Sequence, residues 1–362
     1  MKNKKLLIIV AAVVVVLAVV LAVVLLGGNK APETTTTTTS GQGSTPATQT
    51  YKLGMGAVAG SHTSSQTNLT VATVVVDEAG KIVSCRLDVA QNKYAFDEDE
   101  EELTFKVLKT KMELGDDYAM KGASPIGKEW FEQAKAFEAW VEGKTGAEVA
   151  ELLKKDNLVQ NGTHWVTTDE VLKVGCTMDV QDFRDAVVKA CNDEQGVKFT
   201  TDKAFTLGLG INSADDGSSA EDEENYKVQL NVEFAGTVVI DGKVFATVND
   251  AYQPHVIVED GEVVKATVGT FDKDGVEDQG FMTKRELKET YGMKVAAVDK
   301  NGDGVSLEWY LQSAAYSKLA VGMTAAELAG YFAANDELLE ADCTIYIGGI
   351  STVVAESVTN AR

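Results

Sequence analysis

Mostly apolar positions recur with the period of an α-helix at two places in this chain. The first stripe follows Glu129 and has members at i, i+3, i+4, i+7 and i+11: Trp130, Gln133, Ala134, Phe137 and Val141. The second follows Glu308 at the same spacings: Trp309, Gln312, Ser313, Tyr316 and Ala320. Each stripe predicts a helix with one buried face that ends near Gly143 or Gly322.

Other helices are predicted by their start signals and their apolar faces. A Thr followed three residues later by Glu is a capping box, in which each side chain accepts from the other residue's amide. The chain has this signal at Thr110 and Glu113, Thr145 and Glu148, Thr283 and Glu286, and Thr324 and Glu327. Two further helical faces are predicted at Val180, Phe183, Val187 and Ala190, and at Ile347, Ile350, Val354 and Ser357.

Strand patterns precede these helices. The stretch TVATVVVDEAGKIVSCRLDVAQ from Thr70 predicts two strands joined by a turn at Ala79-Gly80. HVIVEDGEVVKATVGTF from His255 has the same form around Asp260-Gly261, and we match the two hairpins. Ahead of them, LGMG at Leu53 corresponds to LGLG at Leu207.

The chain therefore contains the same unit twice. The phrase TKMELGDDYAM from Thr110 returns as TKRELKETYGM from Thr283, and the two Trp-bearing helices align without a gap. We define residues 51–198 as the first repeat and 199–362 as the second. Since hairpins come first and no strand–helix–strand alternation follows, we predict an α+β fold: two tandem repeats, each an antiparallel sheet covered by helices.

A membrane anchor is predicted ahead of the repeats. Residues 1–5 contain three lysines, and residues 6–27 contain an unbroken apolar run from Leu6 to Leu26, long enough to cross a bilayer as a helix. Lysines before such a span favour a cytoplasmic N-terminus, so we expect both repeats outside the cell membrane on a single-pass anchor. Residues 28–50 form a threonine-rich linker that cannot bury a core.

Charge and composition exclude several classes of function. The net charge of −22 repels phosphate backbones, so nucleic acid is not an expected partner. The three histidines stand apart, and none lies in a nucleophile motif, so we expect an electron carrier or binding module rather than a catalyst. The four cysteines have no zinc-site spacing, and three disulfide pairings are open beside free thiols.

Two segments, VLKVGCT ending at Thr177 and LLEADCT ending at Thr344, precede the last helix of each repeat. Together with the glycine-rich strand and the hairpin turn, they resemble the flavin mononucleotide (FMN)-binding domain family of exported bacterial electron carriers. In that family a flavin transferase attaches FMN to the last threonine of Asp-x-x-Ser/Thr-Gly-Ala-Thr. The resemblance implies FMN at Thr177 and Thr344, beside Gly175, Cys176 and Cys343.

This chain departs from the family motif at several positions. Val171 and Leu338 replace the aspartate, and Val174 and Ala341 replace the Ser/Thr. Asp342 replaces the glycine in the second repeat. The resemblance implies flavin-dependent electron transfer with redox partner proteins; the alternative is a non-catalytic surface module that uses the same fold without a cofactor.

The doubled phrases allow two interpretations. Lys111 with Tyr118, and Lys284 with Tyr291, are spaced to line a ligand pocket, with the cation for a phosphate and the ring for stacking. The alternative is a short capped helix whose apolar residues pack on the helix behind it, and we favour this interpretation.

One segment resembles the start of a calcium-binding loop. Asp299, Asn301 and Asp303 stand at positions one, three and five of DKNGDG, but Tyr310 takes the position of the bidentate glutamate. A polar surface turn is the alternative to a Ca²⁺ site.

Overall fold

The computed structural model describes residues 48–97, 100, 102–220, 222, 225–268, 281–296, 306–331, 338, 340–341 and 343–362. The described residues belong to one compact unit. The strands of the first repeat, with the strand that follows it, are β1 (Gln49–Ala59), β2 (Gln66–Asp77), β3 (Ile82–Asp97), β4 (Glu102–Val107), β5 (Leu158–Asn161), β6 (His164–Thr167) and β7 (Val197–Thr201). Those of the second are β8 (Thr206–Asp215), β9 (Ser219–Ala220), β10 (Tyr226–Ile240), β11 (Lys243–Tyr252), β12 (Pro254–Glu259) and β13 (Glu262–Val268).

The helices of the described part follow the same order in both repeats, except that the second repeat has an additional short helix, Met293–Ala296. The first repeat has α1 (Lys111–Leu114), α2 (Trp130–Val141), α3 (Gly146–Leu152) and α4 (Gln181–Cys191). The second has α5 (Lys284–Leu287), α6 (Met293–Ala296), α7 (Trp309–Leu319), α8 (Ala325–Ala329) and α9 (Gly348–Thr359). A 3₁₀ turn follows α1 at Gly115–Tyr118 and α5 at Lys288–Tyr291.

All four predicted capping boxes form. Thr110, Thr145, Thr283 and Thr324 each accept a hydrogen bond from the backbone of the glutamate three residues on, whose carboxylate accepts from the threonine amide. Both predicted stripes, from Trp130 to Val141 and from Trp309 to Ala320, are buried. The helix starts and faces were therefore predicted correctly.

Each repeat has an antiparallel sheet. In the first the strand order is β4-β3-β2-β1-β7, with every pairing antiparallel. In the second, β10 is the central strand and pairs with β8, β9, β11 and β12, and β12 pairs with β13. The predicted α+β class, with antiparallel sheets covered by helices, is confirmed.

The strand register corrects the predicted match between the hairpins. Gly54 pairs with Val74, and Val74 pairs with Cys85. In the second repeat Gly208 pairs with Thr237, and Thr237 with Thr247. The counterpart of the β2–β3 hairpin is therefore the β10–β11 hairpin, which turns at Asp241-Gly242. The predicted match of the β2–β3 hairpin to the hairpin from His255 was wrong. The Asp260-Gly261 turn does form, but it joins β12 to β13, the counterparts of the end of β3 and β4.

The LGMG and LGLG strands lie directly under the last helix of their repeat. A Cβ on Gly54 would stand 2.1 Å from the backbone carbonyl oxygen of Ala190 in α4. A Cβ on Gly208 would stand 1.7 Å from the backbone carbonyl oxygen of Ser357 in α9. Only glycine allows a helix backbone to lie this close to the strand.

The two sheets pack on each other through the faces that their helices leave open. β3 lies against β8 and β1 against β11. Along β2, Val71 and Val75 join the core between the sheets, while Val74 and Val76 join the core under α2 and α4. Alternate residues of a strand point to opposite faces, so both faces of β2 are buried, and from Val71 to Val76 every residue except Thr73 is apolar.

No helix in the part of the chain that the structure describes is long and apolar enough to cross a membrane. The predicted anchor from Leu6 to Leu26 lies outside the described residues, as do most of the linker and the predicted Ca²⁺ ligands Asp299, Asn301 and Asp303.

Candidate functional site

A cleft of about 600 Å³ opens in the first repeat between β2, the turn after α1, and the starts of α2 and α4. Lys111, Tyr118 and Thr177, which were predicted at widely separated positions, all line it. Its other polar lining groups include Asn68, Thr70, His164, Asp179, Gln181 and Asp182.

Lys111 is held over two aromatic rings. Its Nζ lies 4.9 Å from the centroid of the Tyr118 ring and 5.6 Å from that of Trp130. Such cation–π contacts stabilise the ammonium without neutralising its charge. The predicted cation and ring therefore belong to one cluster, together with Trp130.

Two buried carboxylates fix this cluster. The Met112 amide, in the first turn of α1, donates to Asp88 Oδ1 at 3.0 Å. The amides of Met120 and Lys121 donate to the carboxylate of Glu129, the residue before α2, at 2.8 and 3.0 Å. Burial raises the pKa of Asp88 to about 7, although the hydrogen bonds that this carboxyl accepts lower its pKa. The short helix is thus anchored in the core, while Lys111 and Tyr118 line the cleft, so the phrase from Thr110 has both a packing role and a lining role.

Thr177 is positioned by Gln133, a fully buried residue of α2. Gln133 Oε1 accepts from the Thr177 amide at 2.9 Å and from its hydroxyl at 3.2 Å. The Gln133 amide nitrogen donates to the Lys128 carbonyl and the Ser124 hydroxyl, each at 3.1 Å. With both ends satisfied, Gln133 is a rigid link between α2 and the segment before α4.

The neighbours of Thr177 have packing roles. A Cβ on Gly175 would stand 2.7 Å from the Ala136 side chain, so the glycine allows the segment to lie close to α2. Cys176 is fully buried, and burial raises its pKa to about 11, which keeps it a thiol. Cys343 of the second repeat is equally buried, also with a pKa of about 11. All four cysteines are free thiols in this structure.

The cleft has an acidic side at the start of α4. Asp179 accepts from the amides of Trp165 and Gln181 at 2.9 and 3.0 Å. Burial raises the pKa of Asp182, as do Asp179 and Asp185, while Arg184 and then Lys111 lower it. The cleft therefore presents a cation, two aromatic rings and carboxylates to one space.

The second repeat builds the same frame around a more enclosed lysine. Lys284 Nζ lies 5.2 Å from the Tyr291 ring centroid and 5.4 Å from that of Trp309. Gln312 Oε1 accepts from the Thr344 amide at 2.7 Å and from its hydroxyl at 3.2 Å, as Gln133 does for Thr177. Lys284, however, is buried, whereas Lys111 is only half-buried.

Several residues of these sites were missed by sequence reasoning. Gln133 and Gln312 were assigned only to a helix stripe, and the signal available was a glutamine on an otherwise apolar face. Asp88 of β3 and Asp250 of β11 stand at equivalent positions in the strand register, and Asp250 accepts from the Arg285 amide as Asp88 does from Met112. The wrong hairpin match hid this pair.

Comparison with known proteins gives one partial likeness. No family model matches this chain, and no solved structure matches it. The chain is similar to a chlorophenol reductase of Desulfitobacterium hafniense, with 34% identity over 102 residues. That match covers 24% of this chain and 31% of the relative, so it spans less than a third of that protein.

Proposed function

We propose that this protein binds FMN in the cleft of its first repeat and serves electron transfer outside the cell membrane, to which the run from Leu6 to Leu26 anchors it. One observation carries the proposal: a single cleft joins Lys111, the rings of Tyr118 and Trp130, and Thr177. Its volume of about 600 Å³ lies within the range of about 300–1,000 Å³ typical of cofactor sites.

The lining residues have the chemistry that an FMN molecule requires. Lys111 supplies a cation for the phosphate, and Tyr118 and Trp130 supply aromatic surface for the isoalloxazine ring. Thr177 and Asn68 offer hydrogen-bonding groups. Bound flavin would supply the redox chemistry, and the protein would supply orientation and charge. Because Asp179 and Asp182 oppose a dianion, Lys111 decides whether a phosphate is tolerated.

The likeness to a protein named as a reductase accords with a redox role, although it covers too little of either chain to indicate a cofactor. Under the proposal, Lys284, Tyr291, Thr344 and Cys343 belong to a site in the second repeat that takes no ligand. Redox partner proteins would meet the chain near the first cleft.

A second candidate function, a cofactor-free interaction module, is favoured by a different observation. Val171 and Val174 occupy two polar positions of the flavin-attachment motif and are 72% and 68% exposed. They stand three residues apart on a 3₁₀ turn, which places them on one face. Two exposed valines on one face form a small apolar contact surface.

Titration of FMN into the full chain in detergent micelles, followed by calorimetry, distinguishes the two candidates. The first predicts one FMN per chain, and Lys111→Met weakens binding by about tenfold or more, since a hydrogen bond to a charged group contributes about 1.5–3 kcal/mol. Lys135→Met, an exposed lysine of α2, is the matched control and leaves affinity unchanged. Absence of FMN binding, and absence of flavin absorbance after co-expression with a flavin transferase, would reject the first candidate.

A further inference from the structure

Each repeat places a carboxylate near its own lysine, Lys111 or Lys284, but the two carboxylates come from different secondary-structure elements. Thr70 of β2 pairs with Val89, and Glu233 of β10 pairs with Ala251, so Thr70 and Glu233 are equivalent positions. Asp182 and Gly349 are each the second residue of the last helix. The first repeat thus has its carboxylate on the helix, and the second has it on the strand.

These two exchanges depend on each other sterically. A Cβ built on Gly349 would stand 1.6 Å from Glu233 Oε2, so the glutamate occupies the space that a side chain at position 349 would need. Any residue larger than glycine there must displace the Glu233 carboxylate. In the first repeat the same position carries Asp182, because Thr70 is short enough to leave the space open.

The charged groups near the two lysines reflect the same exchange of residues. Burial raises the pKa of Glu233, and the positive charge of Lys284 counteracts it. Burial lowers the pKa of Lys284, and Glu233 is the first of the charges that raise it. In the first repeat, the positive charge of Lys111 also lowers the pKa of Asp182, after that of Arg184. A buried lysine such as Lys284 needs a nearby counter-charge, and Glu233 supplies it.

A third difference affects the same region. A Cβ on Gly348 would stand 2.3 Å from the Tyr346 hydroxyl, so the Tyr346 side chain lies over the start of α9. The equivalent residues of the first repeat, Gln181 and Asp179, line the open cleft. The second repeat therefore places Glu233 and Tyr346 where the first repeat leaves room.

We infer that the second repeat contains a closed copy of the first-repeat ligand site, in which Glu233 occupies the place beside Lys284 that a ligand would take. The pair at positions 70 and 182, or 233 and 349, decides whether a repeat is open. Thr with Asp leaves the cleft open, and Glu with Gly closes it. This inference rests on the proposed binding of a ligand in the first cleft, and it predicts one ligand per chain.

Exchanging the pair tests the inference on the full chain in detergent micelles. Glu233→Thr with Gly349→Asp gives the second repeat the residues of the first. FMN stoichiometry is measured by calorimetry in the wild type, in this double variant, and in the double variant with Lys284→Met. We expect about one FMN in the wild type, about two in the double variant, and one again after Lys284→Met. Glu233→Gln, which keeps the side-chain volume, is the matched control and keeps the stoichiometry of the wild type.

A readout without ligand accompanies the titration. Gly349→Asp alone lowers the midpoint of urea unfolding, because Glu233 must move, and adding Glu233→Thr recovers most of that loss. A double variant no more stable than Gly349→Asp, or a folded double variant that gains no site, overturns the inference. If the double variant does not fold, Glu233→Ala alone replaces it, and no gain of a Lys284-dependent site again overturns the inference.

The outcomes separate this inference from the proposed function. A wild type that binds no FMN rejects the proposed function alone if the exchanged variant gains a site that Lys284→Met removes. If neither chain binds FMN, both proposals fall.

Discussion

Thr73 and Gly236 occupy equivalent positions in the two repeats and lie against each other where the sheets meet. A Cβ on Gly236 would stand 2.2 Å from Thr73 Oγ1 and 2.7 Å from its Cβ. Thr73 cannot move aside easily, because it is β-branched, fully buried, and donates to the Gly54 carbonyl at 3.1 Å. The close approach of the sheets therefore depends on the glycine.

Gly236→Ala should destabilise the protein by about 1–3 kcal/mol, the usual cost of overpacking a core. Chemical unfolding in urea measures the change. Thr73→Ala in the same chain removes Oγ1, the nearest of the clashing atoms, although it keeps the Cβ, so the double variant should lose less than the sum of the two single losses. Gly122→Ala is the control, since a Cβ there meets nothing within 4 Å. Additive losses would show that the two residues do not limit the approach.

Gly210→Ala tests the close contact between strand and helix. A Cβ at this position would stand 2.2 Å from the Val353 backbone oxygen, and a helix backbone cannot shift locally. We expect a loss of at least about 2 kcal/mol, at the upper part of the overpacking range, measured by the same urea titration. A stability equal to that of Gly122→Ala would show that α9 can move away from β8 at little cost.

The ion pair between Arg285 and Asp193 joins the two repeats in a buried position. The Arg285 guanidinium donates to both Asp193 oxygens at 3.1 and 3.2 Å, and both side chains are under 10% exposed. Arg285→Met leaves the Asp193 charge buried and should cost about 3–5 kcal/mol in thermal or urea unfolding. Lys203→Met removes an exposed pair with Asp241 and should change stability by less than about 1 kcal/mol. Equal effects of the two changes would contradict the buried role.

Asp88 should make the protein less stable as the pH rises through the neutral range. Its pKa is about 7 in the folded state against an ordinary value of 3.8, mainly because of burial. The native state therefore keeps a proton that the unfolded chain loses above about pH 4, and this contribution to stability is lost as the pH rises to about 7. Each unit of pKa difference corresponds to about 1.4 kcal/mol.

Asp88→Asn tests this sign. The variant should show a smaller drop in the free energy of unfolding between pH 5 and pH 8 than the wild type, as measured by urea titrations at both values. Asp241→Asn, at an exposed turn, serves as control and should follow the wild type. A pH dependence unchanged by Asp88→Asn would mean that this carboxyl does not hold a proton in the native state.

The sequence was sufficient for local features and insufficient for those that depend on contacts between distant residues. Capping boxes such as Thr110 with Glu113 act within four residues, so their pattern alone predicts the helix start. The hairpin match failed because two consecutive hairpins, at Asp241-Gly242 and Asp260-Gly261, carry the same turn signal. The correct hairpin is the one that contains β10, the strand that pairs with the LGLG strand, and only the three-dimensional structure shows this pairing.

The site shows the same limit. Lys111, Tyr118 and Thr177 were chosen from motif and spacing, and they do line one cleft. The role of Glu233 was not predicted from the sequence, because it depends on the glycine at position 349, more than a hundred residues away. No local pattern connects a glutamate in a strand with a missing side chain in a helix.

The contact between Thr73 and Gly236 also has a consequence for how such a chain diverges. Equivalent residues of two copies contact each other only at a two-fold axis, which is the geometry of a symmetric homodimer. In a homodimer, every substitution is made on both sides of the axis at once. Joined in one chain, the two halves mutate independently, so threonine can face glycine at the axis, and one half can give up a cavity while the other keeps it.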